Sequence, residues 1–360
     1  MDIIQREQTL PDNIHDLKNL LLIGREKYNL LQRKISLIDK TGELKHERDQ
    51  ILEEGQYLGG LILHAESKIG ELLHNTDFTI NQHDGGGATG GTTTLKELGF
   101  SKSDSSRFQK IYKFDYVIDD LIEECKKSGT LPTRKDLLTK IKIVEKEQFR
   151  TELKTQSKDF KPIENLTLIN DEFQNVQLSG IDCIITDPPY LKEYLPLYDD
   201  LRDFSERVLK PSGFLIFYIN PQILHDVIVK MSKSEELIHY WNVSLIHTGS
   251  TGVYHFKSVF NQHKTILIYQ KKPFKQTVTY FKDVIQGTGR EKEFHDWQQS
   301  GEELYSLIET FTNPNDTIVD CCAGSGTTGI QSLSHGRKSI LIEKDSETFK
   351  VMEGRFKTYQ

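Results

Sequence analysis

The apolar run Ile181–Thr186, followed at once by Asp187-Pro188-Pro189-Tyr190, constrains this chain more than any other stretch. The run is mostly β-branched and apolar, which predicts a buried strand. Prolines cannot continue a hydrogen-bonded ladder, so they end the strand and stiffen the loop that follows. Open α/β sheets bind their ligands at the carboxyl ends of the strands. We therefore expect a rigid ligand-binding loop at this position.

The loop offers two hydrogen-bond acceptors and one flat ring. The acceptors are the Asp187 carboxylate and the Pro188 carbonyl oxygen, and the ring belongs to Tyr190. This combination suits a planar base with an exocyclic amine, because the acceptors take the N–H bonds and the ring stacks on the base. The alternative is a plain junction of strand and turn in which Tyr190 is packed, and the four residues alone leave both interpretations open.

A second motif, nearer the carboxy terminus, has the layout of a nucleotide-binding βαβ unit. A predicted strand at Thr317–Asp320 precedes a glycine turn and a helix, and a third predicted strand ends in Glu343. Gly324 and Gly326 allow a ligand to approach the backbone, and the helix amino terminus presents free N–H groups. Glu343, about 20 residues later, is placed to bind ribose hydroxyls. The turn is neither G-x-G-x-x-G nor a phosphate loop, which favours a small nucleoside ligand.

Together the two motifs resemble those of the DNA amino-methyltransferases. The matching residues are Asp-Pro-Pro-Tyr at 187–190, Asp-x-x-Ala-Gly-Ser-Gly-Thr-Thr at 320–328 and Gly-Arg-x-x-x-x-x-Glu at 336–343. Their order, with the catalytic motif first, is similar to the β group of that family and extends over roughly residues 165–358. The resemblance implies S-adenosylmethionine as cofactor, double-stranded DNA as substrate and an exocyclic amine as methyl acceptor. In the family, Asp at the first motif position usually accompanies N6 of adenine and Ser accompanies N4 of cytosine, so Asp187 favours adenine.

The resemblance also implies roles for single residues. The catalytic residues would be Asp187, Pro188, Pro189 and Tyr190. The cofactor contacts would be Asp171, Asp187, His295, Gln298, Asp320, Cys321, Cys322, Ala323, Gly324, Ser325, Gly326, Thr327, Thr328 and Glu343. Asp171 fits equally well as a turn residue. The chain departs from the family where Cys321-Cys322 replaces Pro-Phe, and only His295 and Gln298 match the usual His-Pro-Thr-Gln-Lys-Pro.

Basic and aromatic residues predict two DNA-binding regions. One resembles a helix-turn-helix, in which Gly99 ends a first helix and Ser101 caps the second. The other mixes cations with rings around the late strands of the sheet, a combination that suits phosphates and an opened base. The candidate DNA contacts are Arg107, Gln109, Lys110, His255, Lys257, Lys271, Lys272 and Lys275. The alternatives are a solvated helix face and an exposed loop with packed rings.

The chain divides into four predicted parts. In residues 1–80, apolar positions at helical spacing alternate with heavy charge, which predicts an antiparallel hairpin or a dimerising coil that makes a homodimer. Residues 81–93 form a glycine-rich linker, with a phosphate cradle as the alternative. Residues 94–157 form a small helical module. In residues 158–360, strands alternate with helices, which predicts a doubly wound, mainly parallel α/β sheet of the Rossmann-like kind. The stretch from residue 65 to residue 108 also looks like amino-terminal modules of phage and mobile-element proteins.

Composition restricts the compartment and the class of function. No apolar run approaches the ~20 residues of a membrane span, and the amino terminus has no signal pattern. The 4 cysteines include no C-x-x-C, so neither a metal site nor a disulfide framework is predicted and a cytoplasmic protein is expected. The net charge of −7 does not indicate nucleic-acid binding, although local charge decides that property. The alternatives left open are cytosine-N4 methylation, RNA or protein methylation, and a non-catalytic DNA-binding regulator of a mobile element.

Overall fold

A computed structural model describes residues 10–42, 45–75, 95, 98–157, 160–246, 252–276, 278–286 and 301–359. The contacts divide the chain into two compact units, Met1–Glu147 and Gln148–Gln360. This division falls inside a helix rather than near residue 158, where the sequence predicted a boundary. Both predicted helical segments, 1–80 and 94–157, contribute to the first unit, and the predicted linker 81–93 lies outside the described residues.

The amino-terminal unit is built from helices. They are α1 (Ile14–Thr41), α2 (Lys45–His74), α3 (Lys102–Lys113), α4 (Tyr116–Ser128) and α5 (Arg134–Gln156), of which α5 continues into the second unit. Ion pairs Arg25–Glu66 and Lys27–Glu54 join α1 to α2 in reversed order along the chain, so the two helices run antiparallel. About half of their apolar side chains are buried within the chain, whereas α1 also exposes Leu22, Ile23, Leu30 and Leu37. The homodimer through these helices stays a prediction.

The carboxy-terminal unit contains the sheet. Its strands are β1 (Leu166–Ile169), β2 (Ile181–Thr186), β3 (Leu209–Ile219), β4 (Leu237–Ile246), β5 (Gly252–Tyr254), β6 (Val259–Asn261), β7 (His263–Lys271), β8 (Val284–Gln286), β9 (Thr317–Asp320) and β10 (Lys338–Ile342). Its helices after α5 are α6 (Leu195–Val208), α7 (Leu224–Met231), α8 (Gly301–Phe311), α9 (Thr327–Ser334) and α10 (Ser346–Tyr359). Short 3-10 helices cover Lys192–Tyr194 and His255–Lys257.

Eight strands form one sheet in the order β1-β10-β9-β2-β3-β7-β4-β8. All pairs in it are parallel except those that β7 makes with β3 and β4. The predicted doubly wound, mainly parallel fold is therefore confirmed, with one antiparallel strand. Strand β2 lies directly beside β9, with Cys183 opposite Ile318. Thr186 and Asp320, the last residues of these two strands, are 134 positions apart in the chain and are joined by a hydrogen bond. The loops that follow the two strands therefore meet at one edge of the sheet.

The sheet is buried on both faces, as the apolar runs of its central strands require. On one face Ile184 and Leu215 pack with Tyr198 of α6. On the other face Ile185 packs in a cluster with Leu307 of α8. Packing on both faces fixes the ends of the strands, so the loops that begin there have defined positions. Among the described residues, no helix combines the length and apolarity that crossing a membrane requires.

Candidate active site

A buried carboxylate joins the two sequence motifs. Asp320, at the end of β9, accepts hydrogen bonds from the hydroxyl groups of Thr186 at 2.8 Å and Thr328 at 2.7 Å, and from the backbone N–H of Cys322 at 3.1 Å. Burial raises the pKa of Asp320 to about 6, and the charge of Asp187 adds to the increase. The end of β2, the glycine turn and the start of α9 therefore meet at one polar group.

The glycine turn leaves open space beside its backbone. Gly324 and Gly326 have φ angles of 53° and 83°, which favour glycine. A Cβ added to Gly324 would meet no atom within 4 Å, whereas one at Gly326 would lie 2.7 Å from the Phe356 ring. Gly326 is thus needed for packing against α10, while Gly324 borders space that a ligand can enter. Glu343 accepts the Gly324 N–H at 2.9 Å, so a carboxylate stands at the same turn.

Arg355 of α10 supports this turn, a role that no motif in the sequence indicated. Its guanidinium group donates to the carbonyl and hydroxyl oxygens of Ser325 at 3.1 and 3.0 Å and to the Thr327 hydroxyl at 2.9 Å. Burial lowers the pKa of Arg355. A partly buried guanidinium group with three acceptors fixes a loop firmly.

The Asp187 loop lies at the neighbouring strand end. Pro188 is buried, and the Tyr198 hydroxyl of α6 donates to the Pro189 carbonyl oxygen at 3.4 Å, so the packed helix supports the proline pair. The Tyr190 hydroxyl donates to the Asp187 carboxylate. Lys264, which the sequence analysis missed, contacts both of these side chains. The carboxylate and the ring predicted to hold a base are therefore together, and they are coupled to a cation.

The other predicted cofactor residues fall into three groups. Cys321, Cys322, Ala323, Ser325 and Thr327 are part of the turn or its flanks. Asp171 is exposed, and hydrogen bonds from Asn175 and the Glu172 backbone lower its pKa. The neighbouring Asn170 donates to the Glu343 carbonyl oxygen at 2.7 Å, which brings this loop to the end of β10. His295 and Gln298 lie outside the described residues.

A small hairpin of β5 and β6 lies at the same edge as Asp187. The Tyr254 hydroxyl donates to Asn220, the residue after β3, at 3.0 Å. Phe256, in the turn of this hairpin, is 100% exposed, and Phe260, on β6, is 70% exposed. The predicted DNA contacts His255 and Lys257 are exposed beside these rings. Cations interleaved with exposed rings form a surface that suits an unstacked nucleic-acid strand.

Three predicted DNA contacts lie at or after the end of β7, at the opposite edge of the sheet from the Asp187 loop. Because β7 runs antiparallel to β3, its last residue, Lys271, lies near the amino ends of the parallel strands. Lys271 donates to backbone carbonyl groups of Glu206 and Leu209. Lys272 and Lys275 follow it in the chain. The structure thus places Lys271 away from the Asp187 loop, and contact of these three lysines with DNA stays a prediction.

The candidate contacts of α3 are engaged inside the amino-terminal unit. Lys110 donates to Glu145 of α5 at 2.6 Å, Gln109 donates to Ser105, and Arg107 donates to Asp104. Ser101 caps α3 as predicted. DNA binding by this helix stays a prediction. A cavity of about 290 Å³ in this unit has mixed walls, and its three charged residues pair with one another, since buried Glu66 accepts from Arg25 and Arg134.

Part of this chain is similar to known proteins. The family described as DNA methylase, of the N6/N4 methyltransferases, matches residues 280–354. The type II methyltransferase M.HpaI of Haemophilus parainfluenzae is 25% identical over 222 residues, which cover 51% of this chain and 70% of the relative. The putative methylase YubD of Escherichia coli K12 is 25% identical over 184 residues, covering 46% of this chain and 77% of the relative.

Solved structures align over about half of the chain. The M1.HpyAVI-SAM complex has a TM-score of 0.44 and 21% identity, covering 53% of this chain and 98% of that chain. The cytosine-N4-specific PvuII DNA methyltransferase has a TM-score of 0.46 and 16% identity, covering 55% of this chain and 90% of that chain. The matched family segment spans the glycine turn and Glu343. Together with the Asp187 motif beside that turn, the match supports a DNA amino-methyltransferase of the N6/N4 family.

Proposed function

We propose that this chain transfers a methyl group from S-adenosylmethionine to N6 of an adenine in double-stranded DNA. The observation that carries the proposal is the pairing of β2 with β9, which brings Asp187 and the Gly324 turn to adjacent strand ends. A methyl donor and an acceptor amine need this proximity, because holding two reactants in line provides most of such a rate enhancement. The relatives named type II methyltransferases support the choice of DNA as substrate.

The glycine turn fits the cofactor. The open space beside Gly324 admits a nucleoside, and Glu343 places a carboxylate where ribose hydroxyl groups can donate to it. Arg355 holds the Ser325 backbone, so the turn is formed before the ligand arrives. When bound, S-adenosylmethionine supplies an electrophilic methyl group on a positively charged sulfur.

The chain's own residues activate and orient the amine. An adenine amino nitrogen is a weak nucleophile because its lone pair is delocalised into the ring. Hydrogen bonds from its N–H groups to the Asp187 carboxylate and the Pro188 carbonyl oxygen localise that pair and stabilise the positive charge that develops on nitrogen. S-adenosylmethionine held at the Gly324 turn would supply the methyl group and keep the electron pair of the broken C–S bond. Asp187 and Pro188 would hold the amine while its nitrogen loses one proton to solvent.

Thiol chemistry has no role in this proposal. The hydrogen bond with Cys321 and burial raise the pKa of Cys322, which keeps its thiol protonated near neutral pH. A protonated thiol is a poor nucleophile. The amine held by Asp187 and Pro188 would therefore take the methyl group directly, with no intermediate on Cys322.

The base has to leave the duplex, because the working face of its amine is hidden in the stack. Tyr190 would then stack on the extruded adenine. The hairpin of β5 and β6 would contact the opened strand through Phe256 and Phe260, with Lys257 near the phosphates. This arrangement assigns the DNA-facing side to the edge of the sheet that holds Asp187.

We expect the methylated product to be N6-methyladenine. Incubating the protein with methyl-labelled S-adenosylmethionine and duplex DNA, followed by digestion to nucleosides, identifies the labelled base. Label in N4-methylcytosine would support the alternative acceptor and contradict the adenine proposal. Label in RNA or protein would contradict DNA as substrate. Calorimetric binding of the cofactor without transfer to any substrate would favour a non-catalytic DNA-binding regulator.

A further inference from the structure

The direction of β7 brings a lysine to the Asp187 loop. β7 is antiparallel to β3, with Thr265 opposite Ile219, so the start of β7 lies where β3 ends. Lys264 occupies this start. A lysine on a rigid, buried strand has a defined position, unlike one on a surface loop. The fold therefore fixes the side of the catalytic loop that Lys264 approaches.

The Lys264 ammonium group contacts both predicted base-binding side chains. Its Nζ atom lies 2.9 Å from the Tyr190 hydroxyl oxygen and 3.4 Å from Asp187 Oδ2. It also lies 5.1 Å from the centroid of the Tyr190 ring and 5.5 Å from that of the Tyr218 ring. The Lys264 and Asp187 side chains are only 28% and 29% exposed, so solvent screens this ion pair less than a surface pair.

The two oxygens of the Asp187 carboxylate have different partners. Tyr190 donates its hydroxyl proton to Oδ1, and Lys264 donates to Oδ2. For a base to stack on Tyr190, the tyrosine ring has to turn parallel to the base. This movement takes the Tyr190 hydroxyl group away from Asp187 Oδ1. The incoming amine can then donate to Oδ1 while Lys264 remains on Oδ2.

We propose that Lys264 is the positioning residue of methyl transfer, because it holds Asp187 Oδ2 so that Oδ1 faces the amine, and because its charge keeps this carboxylate ionised. The proposal rests on the proposed function, since it concerns the same site. Lys264 acts through Asp187 and contacts neither reacting atom. Tyr190 in turn occupies Oδ1 until the base replaces its hydroxyl group.

The surroundings of Asp187 make a counter-charge necessary. Buried Asp320 lies close enough for the charge of Asp187 to raise the pKa of Asp320. The pKa of Tyr198 is also raised, first by burial and then by Asp187. A second carboxylate disfavours ionisation of the first, and a cation in contact favours it. Among the described residues, the groups near Asp187 thus include one carboxylate, two phenols and the Lys264 ammonium group.

The activity test compares Lys264→Met with Lys264→Arg and Lys233→Met. Lys233 is exposed after α7, so its replacement removes the same charge away from the site. We expect Lys264→Met to lower kcat about 10–100-fold, as small misplacements of catalytic groups do, with KM for S-adenosylmethionine unchanged. The acidic limb of its pH–rate profile should move up by about one pH unit, because a carboxylate without its cation is protonated more readily. Lys264→Arg should restore this limb, and Lys233→Met should match the wild type.

A second measurement does not depend on activity. The carbon-13 shift of the Asp187 carboxyl group, assigned by its loss in Asp187→Asn, reports its titration in each folded variant. We expect a higher Asp187 pKa in Lys264→Met than in wild type or Lys264→Arg. Equal titration in wild type and Lys264→Met would overturn the role of Lys264 even if DNA is methylated. Absence of transfer by the wild type, with the Asp187 shift still dependent on Lys264, would instead reject the proposed function.

Discussion

Replacing Asp187 by alanine is expected to reduce methyl transfer to DNA about 10³-fold, the cost of removing a group that stabilises a transition state directly. The variant loses the Oδ1 acceptor for the amine and leaves Lys264 without its carboxylate. Cofactor affinity should fall much less than the rate, because the glycine turn and Glu343, which hold the other cofactor contacts, do not depend on Asp187. Single-turnover transfer measures the first quantity and calorimetry measures the second.

Two controls separate the acceptor from general effects. Asp203→Ala removes a carboxylate of α6 that is 65% exposed, and it should leave transfer unchanged because surface ion pairs contribute little. Asp187→Asn keeps one acceptor oxygen but no charge, and its rate should fall between those of wild type and Asp187→Ala. Full activity of Asp187→Ala would contradict the assignment of this residue.

The second large effect is on stability. Asp320→Ala removes the acceptor of three hydrogen bonds and leaves the hydroxyl groups of Thr186 and Thr328 buried. Each buried donor without a partner costs roughly 1–3 kcal/mol, so we expect the carboxy-terminal unit to lose about 3 kcal/mol or more of unfolding free energy. Chemical denaturation followed by circular dichroism measures this loss. A loss below about 1 kcal/mol would contradict the stabilising role of the three hydrogen bonds to Asp320.

Asp320→Asn is the matched control, because asparagine has the same shape but cannot ionise. Measurements at several pH values then separate the protonated from the ionised form of Asp320. The pKa of Asp320 is raised from 3.8 to about 6 in the folded chain. The folded state therefore binds more protons than the unfolded state between these values. The stabilisation from this group is present below about pH 4 and is lost as the pH rises through about 6. The stability of wild type relative to Asp320→Asn should therefore decrease over this pH range.

The central part of the fold and site was predictable from sequence because it depends on local chemistry. Prolines after an apolar run indicate the end of a strand, and paired glycines before a helix indicate a ligand turn. The structure places Asp187, Tyr190 and Gly324 at the predicted edge of the sheet. Glu343, expected to serve the cofactor, is held at the same turn through Gly324.

The missed and misplaced residues depend on tertiary geometry. The alternation of strands and helices does not reveal that β7 is antiparallel. That reversal brings Lys264, at the start of β7, to the site and takes Lys271, at its end, away from it. Arg355 reaches Ser325 only because α10 packs under the glycine turn. A lysine or arginine at such positions looks like any surface charge until the packing partners are known.

The most direct test of the account is the geometry of a complex of this chain with S-adenosylmethionine and a duplex that contains the target adenine. We expect the cofactor ribose to lie at Glu343 and the adenine amine to donate to Asp187. The methyl carbon should then lie about 3–3.5 Å from the amine nitrogen, as reacting atoms do before transfer. A cofactor bound away from the Gly324 turn, or an extruded base without contact to Asp187, would contradict it.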